Sequence, residues 1–187
     1  EDFPYLEEEE FLVGQFVRND QPVVGFGLGA QLMAHHFGGE ASEDPELTAR
    51  FVTARKTAAG EGDALAEALD GTEVFLWHAG SVTLPEGMAP TLVDDDGNWL
   101  AFRPAPKAYA LLFRPEIKPG IIEDMAMEDR PHPDDLGDLL RYARQSWGEG
   151  RMQAVVDKVV VALVKDLQLM QPHAGSGPGF GFQMVED

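Results

Sequence analysis

The run Pro22-Val23-Val24-Gly25-Phe26-Gly27-Leu28-Gly29-Ala30-Gln31-Leu32-Met33-Ala34 constrains the fold of this chain more than any other stretch. Val23 to Phe26 is an apolar segment of strand length, and Gln21-Pro22 breaks what precedes it. Gly27-Leu28-Gly29 turns the chain, and Ala30 to Phe37 reads as a helix that Gly38-Gly39 ends. Strand, glycine turn and helix in that order mark an α/β sheet, in which sites are built where strands give way to helices. Upstream, Pro4 to Asn19 reads as a helix opened by acidic residues, with Leu6, Phe11, Leu12 and Phe16 supplying its buried side.

The middle of the chain is strand-rich. Leu47 to Thr53, Glu73 to Trp77, Ala89 to Val93, Trp99 to Arg103 and Ala108 to Phe113 read as strands. Turns such as Pro85-Glu86-Gly87 and Asp96-Gly97 separate them, and Asp63 to Leu69 has the length of one or two helical turns. From Pro119 the pattern is helical again. Met152, Val155, Val156, Val159, Val160, Leu163, Val164 and Leu167 repeat at helical spacing, which makes the last helix a core element. One domain over residues 1–170 is therefore expected, followed by a glycine-rich tail over 171–187 that carries Phe180, Phe182 and Met184.

Charge and cysteine usage exclude several functions. Asp and Glu number 33 against 14 Lys and Arg, a net charge of −19. Such a surface repels phosphate backbones and anionic lipid, so neither nucleic acid nor membrane is expected as a partner. No apolar run approaches the ~18 residues of a spanning helix, and Glu1-Asp2-Phe3-Pro4 has no signal-peptide pattern, so a cytoplasmic location is expected. The chain has no cysteine, which removes disulfides, thiolate metal sites and a cysteine nucleophile together.

The segment Pro22 to Ala34 with Phe37-Gly38-Gly39 resembles the class I glutamine amidotransferases, whose elbow runs roughly P-V-L-G-I-C-L-G-H-Q-L-L-A before a glycine pair. Val74-Phe75-Leu76-Trp77-His78 and Leu84-Pro85-Glu86-Gly87 are similar to the family's F-x-W-H-x-D and L-P-x-G. Ala101-Phe102-Arg103 and Tyr109 to Glu116 are similar to its A-F-R and Y-G-x-Q-F-H-P-E. Order and spacing agree over roughly Pro4 to Met125. The resemblance implies a flavodoxin-like α/β fold, a mixed and mostly parallel sheet flanked by helices. It also implies a thiolate that attacks glutamine, a His–Glu pair that moves the proton, and ammonia delivered to a synthetase partner.

Residue by residue, the reacting positions are changed. The nucleophile position is Gly27, which has no side chain, and the base position is Arg114, which stays protonated. Glu116 remains, better placed to pair with Arg114 than to orient a base. The Asp expected after His78 is Gly80, or Ala79 in a shifted register, and the family's N-Q-A-F is Trp99-Leu100-Ala101-Phe102. Leu28, Gln31 and His78 are the substrate-pocket positions that the resemblance carries over. Gly27 also relieves an elbow strain of about 1–3 kcal/mol that another residue would bear there. Catalysis of the usual kind is not expected.

The family begins with a strand, a helix and two more strands before the helix that opens here, about 50–60 residues at ~30 per βαβ unit. This chain looks like that fold without its N-terminal strands, which either another chain or a missing N-terminal segment would supply. The leading expectation is a catalytically inactive glutamine amidotransferase-like subunit or domain, a structural or regulatory partner of an amide-forming synthetase. One alternative is a hydrolase or amidotransferase with a different nucleophile, or one from the missing segment, using His78 or Glu116 as base. Another is a small-anion or metabolite sensor in which Arg114 clamps a ligand in the vacated pocket. No cofactor and no metal is expected: His35 and His36 point about 100° apart on a helix, and Asp94-Asp95-Asp96-Gly97 reads as a solvated hairpin turn.

Overall fold

The computed structural model describes residues 4–42, 46–128 and 135–170. Fourteen elements run in chain order, beginning with α1 (Pro4–Arg18), β1 (Val23–Phe26), α2 (Leu28–His36), β2 (Leu47–Thr53) and β3 (Arg55–Lys56). A 3-10 turn (Ala58–Gly60), α3 (Ala64–Leu69), β4 (Glu73–Ala79), β5 (Leu92–Val93), β6 (Trp99–Ala105) and β7 (Ala108–Leu111) follow. The last described elements are α4 (Pro119–Glu128), α5 (Leu136–Gly148) and α6 (Arg151–Asp166). The tail from 171 onward lies outside the described residues.

Alternation along the strands sets the layers. On β7, Ala108 and Ala110 pack with α2, while Tyr109 and Leu111 join the core with α3 and α6. On β6, Phe102 and Ala101 divide the same way, and the irregular pairing with β5 leaves Leu100 in the main core beside Ala101. β4 is apolar at every position from Val74 to Trp77 because both of its faces are covered. Val74 and Leu76 enter the main core, and Phe75 and Trp77 pack with Ile117, Ile122 and Leu139 of the α4–α5 side. The final helix is the core element expected, with Met152, Val155, Val159 and Leu163 buried, although Val160 faces solvent.

Sheet direction differs from the expectation. The larger sheet has the order β1-β7-β6-β5-β3, and among the described residues only β1 and β7 pair in parallel. The β7–β6, β6–β5 and β5–β3 pairs are antiparallel, as is the separate β2–β4 ladder, so the sheet is mixed but mostly antiparallel. Connection length explains part of this. β5–β6 and β6–β7 are joined by turns around Asp96-Gly97 and Pro106-Lys107, far too short for a parallel crossover. The excursion from β1 to β7 is long enough to return a strand in the same direction, as are those from β3 to β5 and from β2 to β4, whose pairing is nonetheless antiparallel. The α1 expectation is also corrected: Phe11, Leu12 and Phe16 are exposed, and among residues 6–18 Gly14 is the buried one.

Candidate functional site

The elbow is built by three close approaches. A Cβ on Gly25 would stand 2.6 Å from the backbone C and O of Gly29 and 2.8 Å from Met33 Sδ, so β1 and α2 pack at a distance only glycine allows. Gly27 follows with φ 52° and ψ −112°, a sharp turn outside the basins of ordinary residues. Its N–H donates to the Leu111 carbonyl at 2.9 Å, and its carbonyl accepts from Ala30 and Gln31, so the turn is locked to β7 on one side and α2 on the other.

Arg114 covers that turn. A Cβ on Gly27 would lie 2.6 Å from Arg114 Cδ and 3.3 Å from its Nε. The backbone N–H of Arg114 donates to the Phe75 carbonyl at 2.8 Å, which fixes the residue beside β4, and its Nε–H donates to Glu116 Oε1 at 2.5 Å. The three family positions Gly27, Arg114 and Glu116 are therefore together in space. They form a turn capped by an ion pair and not a nucleophile–base–orienter line.

The pocket positions sit beside them. The buried Gln31 donates from Nε2 to the carbonyls of Ala79 and Gly80, at 3.3 and 3.2 Å, which ties α2 to the end of β4. His78 donates from Nδ1 to the Gly80 carbonyl at 2.8 Å, leaving Nε2 as the acceptor nitrogen of a neutral ring. Burial pushes the imidazole below its ordinary value, the bond to Gly80 opposes this, and the Arg50 cation adds to the lowering. Glu116 is thus engaged on a guanidinium, while His78 is held through Nδ1 and keeps Nε2 as an acceptor. Leu28 is half-exposed at the mouth of the elbow.

Gln31 and His78 line a cavity of about 350 Å³ with Thr48, Arg50, Asp94 and Asn98, whereas Gly27 and Arg114 do not reach it. Asp94 is 3% exposed and accepts from the backbone N–H of Asp96 and Asn98 and from the side chains of Asn98 and Arg50. The acidic turn is therefore an Asx-type hairpin whose carboxylate is satisfied by donors. Arg50 had no motif to announce it, because it reaches Asp94 from 44 residues away. His35 and His36 both approach Glu10 Oε1, at 3.4 and 3.5 Å. Among the described residues no group of three or more His, Asp or Glu is arranged to hold a metal ion, and no helix is long and apolar enough to cross a membrane.

Two solved glutamine amidotransferases share this architecture. The one from Thermotoga maritima superposes with a TM-score of 0.68 at 19% identity, over 89% of this chain and 71% of its own. The one from Methylobacillus flagellatus gives 0.71 at 20% identity, over 95% and 76%. A glutamine-hydrolysing GMP synthase from Campylobacter hominis is 30% identical over 115 residues, 60% of this chain and 22% of that protein. The chain thus spans about a fifth of that relative's length. No family profile matches the sequence. The fold is that of the class I glutamine amidotransferases, in a chain without the cysteine that their chemistry requires.

Proposed function

We propose that this chain, with an amidotransferase fold and no nucleophile, is a catalytically inactive glutamine amidotransferase-like subunit or domain. It acts as a structural or regulatory partner of another polypeptide, and the resemblance points to an amide-forming synthetase as the kind of partner. One observation carries the proposal: the Arg114 side chain occupies the volume above Gly27 that a nucleophile would need, and Glu116 holds it there. A guanidinium that keeps its charge cannot accept the proton of an attacking group. The outer edge of β1, unpaired among the described residues, supports the further reading that a strand from elsewhere completes the sheet.

Ammonia release from glutamine tests the proposal. The purified chain is expected to show no turnover above the buffer rate, with or without thiol reagents, and steady release would overturn the reading. Gly27→Cys is expected to remain inactive and to lose stability, on the order of 1–3 kcal/mol from the strained turn alone, with a further loss because its Cβ meets Arg114 Cδ. Denaturant unfolding of Gly27→Cys beside Gly27→Cys/Arg114→Ala separates the two effects: the double variant regains the part due to the clash and keeps the part due to φ.

A further inference from the structure

A second cleft, of about 370 Å³, opens on the solvent side of α2, between the first turns of α1 and the segment after β4. Leu6, Leu28, Leu32 and Val82 make it apolar. Its rim carries Glu7 and Glu10 of α1 and His35 of α2, whose ring approaches Glu10 Oε1 at 3.4 Å, and neither lysine nor arginine is among its lining residues. Glu8 and Glu9 extend the acidic edge into solvent. Leu28 stands 51% exposed at this opening, leaving apolar surface in water that a ligand would cover favourably.

An apolar floor under an acidic rim is complementary to a segment that brings an aliphatic side chain flanked by Lys or Arg. A second copy of this chain does not fit, because it would set Glu7 to Glu10 against a like surface on a molecule of net charge −19. We propose that the α1–α2 cleft docks a basic, aliphatic-anchored segment of a partner protein. The proposal rests on the reading of the chain as a partner subunit, and it names the surface used and the chemistry of what binds. The negative field of the whole molecule steers such a segment inward, and the leucine floor sets where it stops.

The test is an NMR titration of the full ¹⁵N-labelled chain with an amidated Arg-Leu-Arg-Leu-Arg peptide. Saturable shifts are expected at the amides of Leu6 to Glu10, Leu28 to His35 and Ala79 to Val82. Affinity should fall about tenfold in Leu28→Ser or in Glu7→Lys, each a change of ~1.4 kcal/mol, and should weaken further in about 1 M salt. Val161→Lys, exposed on α6, is the folded control and should bind as the parent does. Shifts scattered over the whole acidic surface, equal affinity for a peptide with Ser in place of Leu, or no shift at millimolar peptide would each sink the proposal. So would self-association that buries the same residues. The titration does not depend on glutamine turnover, so a chain that proved to be a glutaminase would overturn the inactive-subunit reading without altering this readout.

Discussion

His78 shows how one side chain can record its surroundings in a pH profile. Its ring lies at the end of β4, with Nδ1–H on the Gly80 carbonyl and the Arg50 cation nearby. Burial favours the neutral ring, so the folded-state value lies below that of the unfolded chain. The sign follows from linkage: below the ordinary imidazole value, near ~6.5, the unfolded chain binds a proton that the folded chain resists. The titration of His78 therefore has no effect well above that value and destabilises the fold as pH falls below it. Urea unfolding of the parent and of His78→Gln across this range isolates the effect from the many carboxylates, which both proteins share. The difference in unfolding free energy is expected to stay flat above about pH 7 and to move in favour of the variant in acid. A difference that is constant throughout would show that folding does not shift the ring, and one that favours the parent in acid would show that the imidazole is held charged.

The strand–turn–helix of β1 and α2 is the element on which the site is built, and Gly25 is the residue that sets its spacing. Gly25→Ala would place a methyl group 2.6 Å from the Gly29 backbone, which cannot rotate away as a side chain tip can. A loss of about 1–3 kcal/mol is expected, the usual range for overpacking, with a lower denaturation midpoint and an unchanged urea dependence. An unchanged midpoint would mean that α2 rides freely over β1. This element was legible in the sequence because every signal in it is local: a four-residue apolar run, a glycine turn and a nine-residue helix. The pairing of Gly27 with Arg114 was legible only through motif order, since 87 residues separate them. Strand direction was not, because β2–β4 and β3–β5 are joined by connections long enough for either direction, and tertiary pairing decides between them. The α1 face was misread for a geometric reason: Leu12 and Phe16 each lie two residues from Gly14, so when Gly14 faces His36 they turn about 160° away.

Contacts between residues far apart in the sequence tie the whole molecule together, and no motif marks them. Tyr109 on β7 sends its hydroxyl between two carboxylates, Asp63 at 3.0 Å and Asp166 at 2.8 Å. Asp63 also caps α3 through the Ala66 N–H, and Asp166 ends α6. Arg103 of β6 bonds both carboxylates and stacks over the tyrosine ring at 4.4 Å. Four residues thus lock α3 and α6 onto β6 and β7. The phenol has one proton, so it donates to one carboxylate at a time, while Arg103 bonds both and offsets one of the two negative charges. Tyr109→Phe keeps the ring and its stacking with Arg103 but deletes the hydroxyl. The carboxylates then lose a buried donor, and a loss of about 1–3 kcal/mol is expected. Burial, and next the bond to Asp166, push the phenol above its ordinary value. Its contribution is present below the unfolded phenol value near ~10 and is lost as pH rises beyond it, where only the unfolded chain releases the proton. The parent should therefore weaken between neutral and strongly alkaline pH by more than Tyr109→Phe does, as measured by urea unfolding at each pH. Equal alkaline losses in the two proteins would show that the hydroxyl is not the clasp between the helices and the sheet.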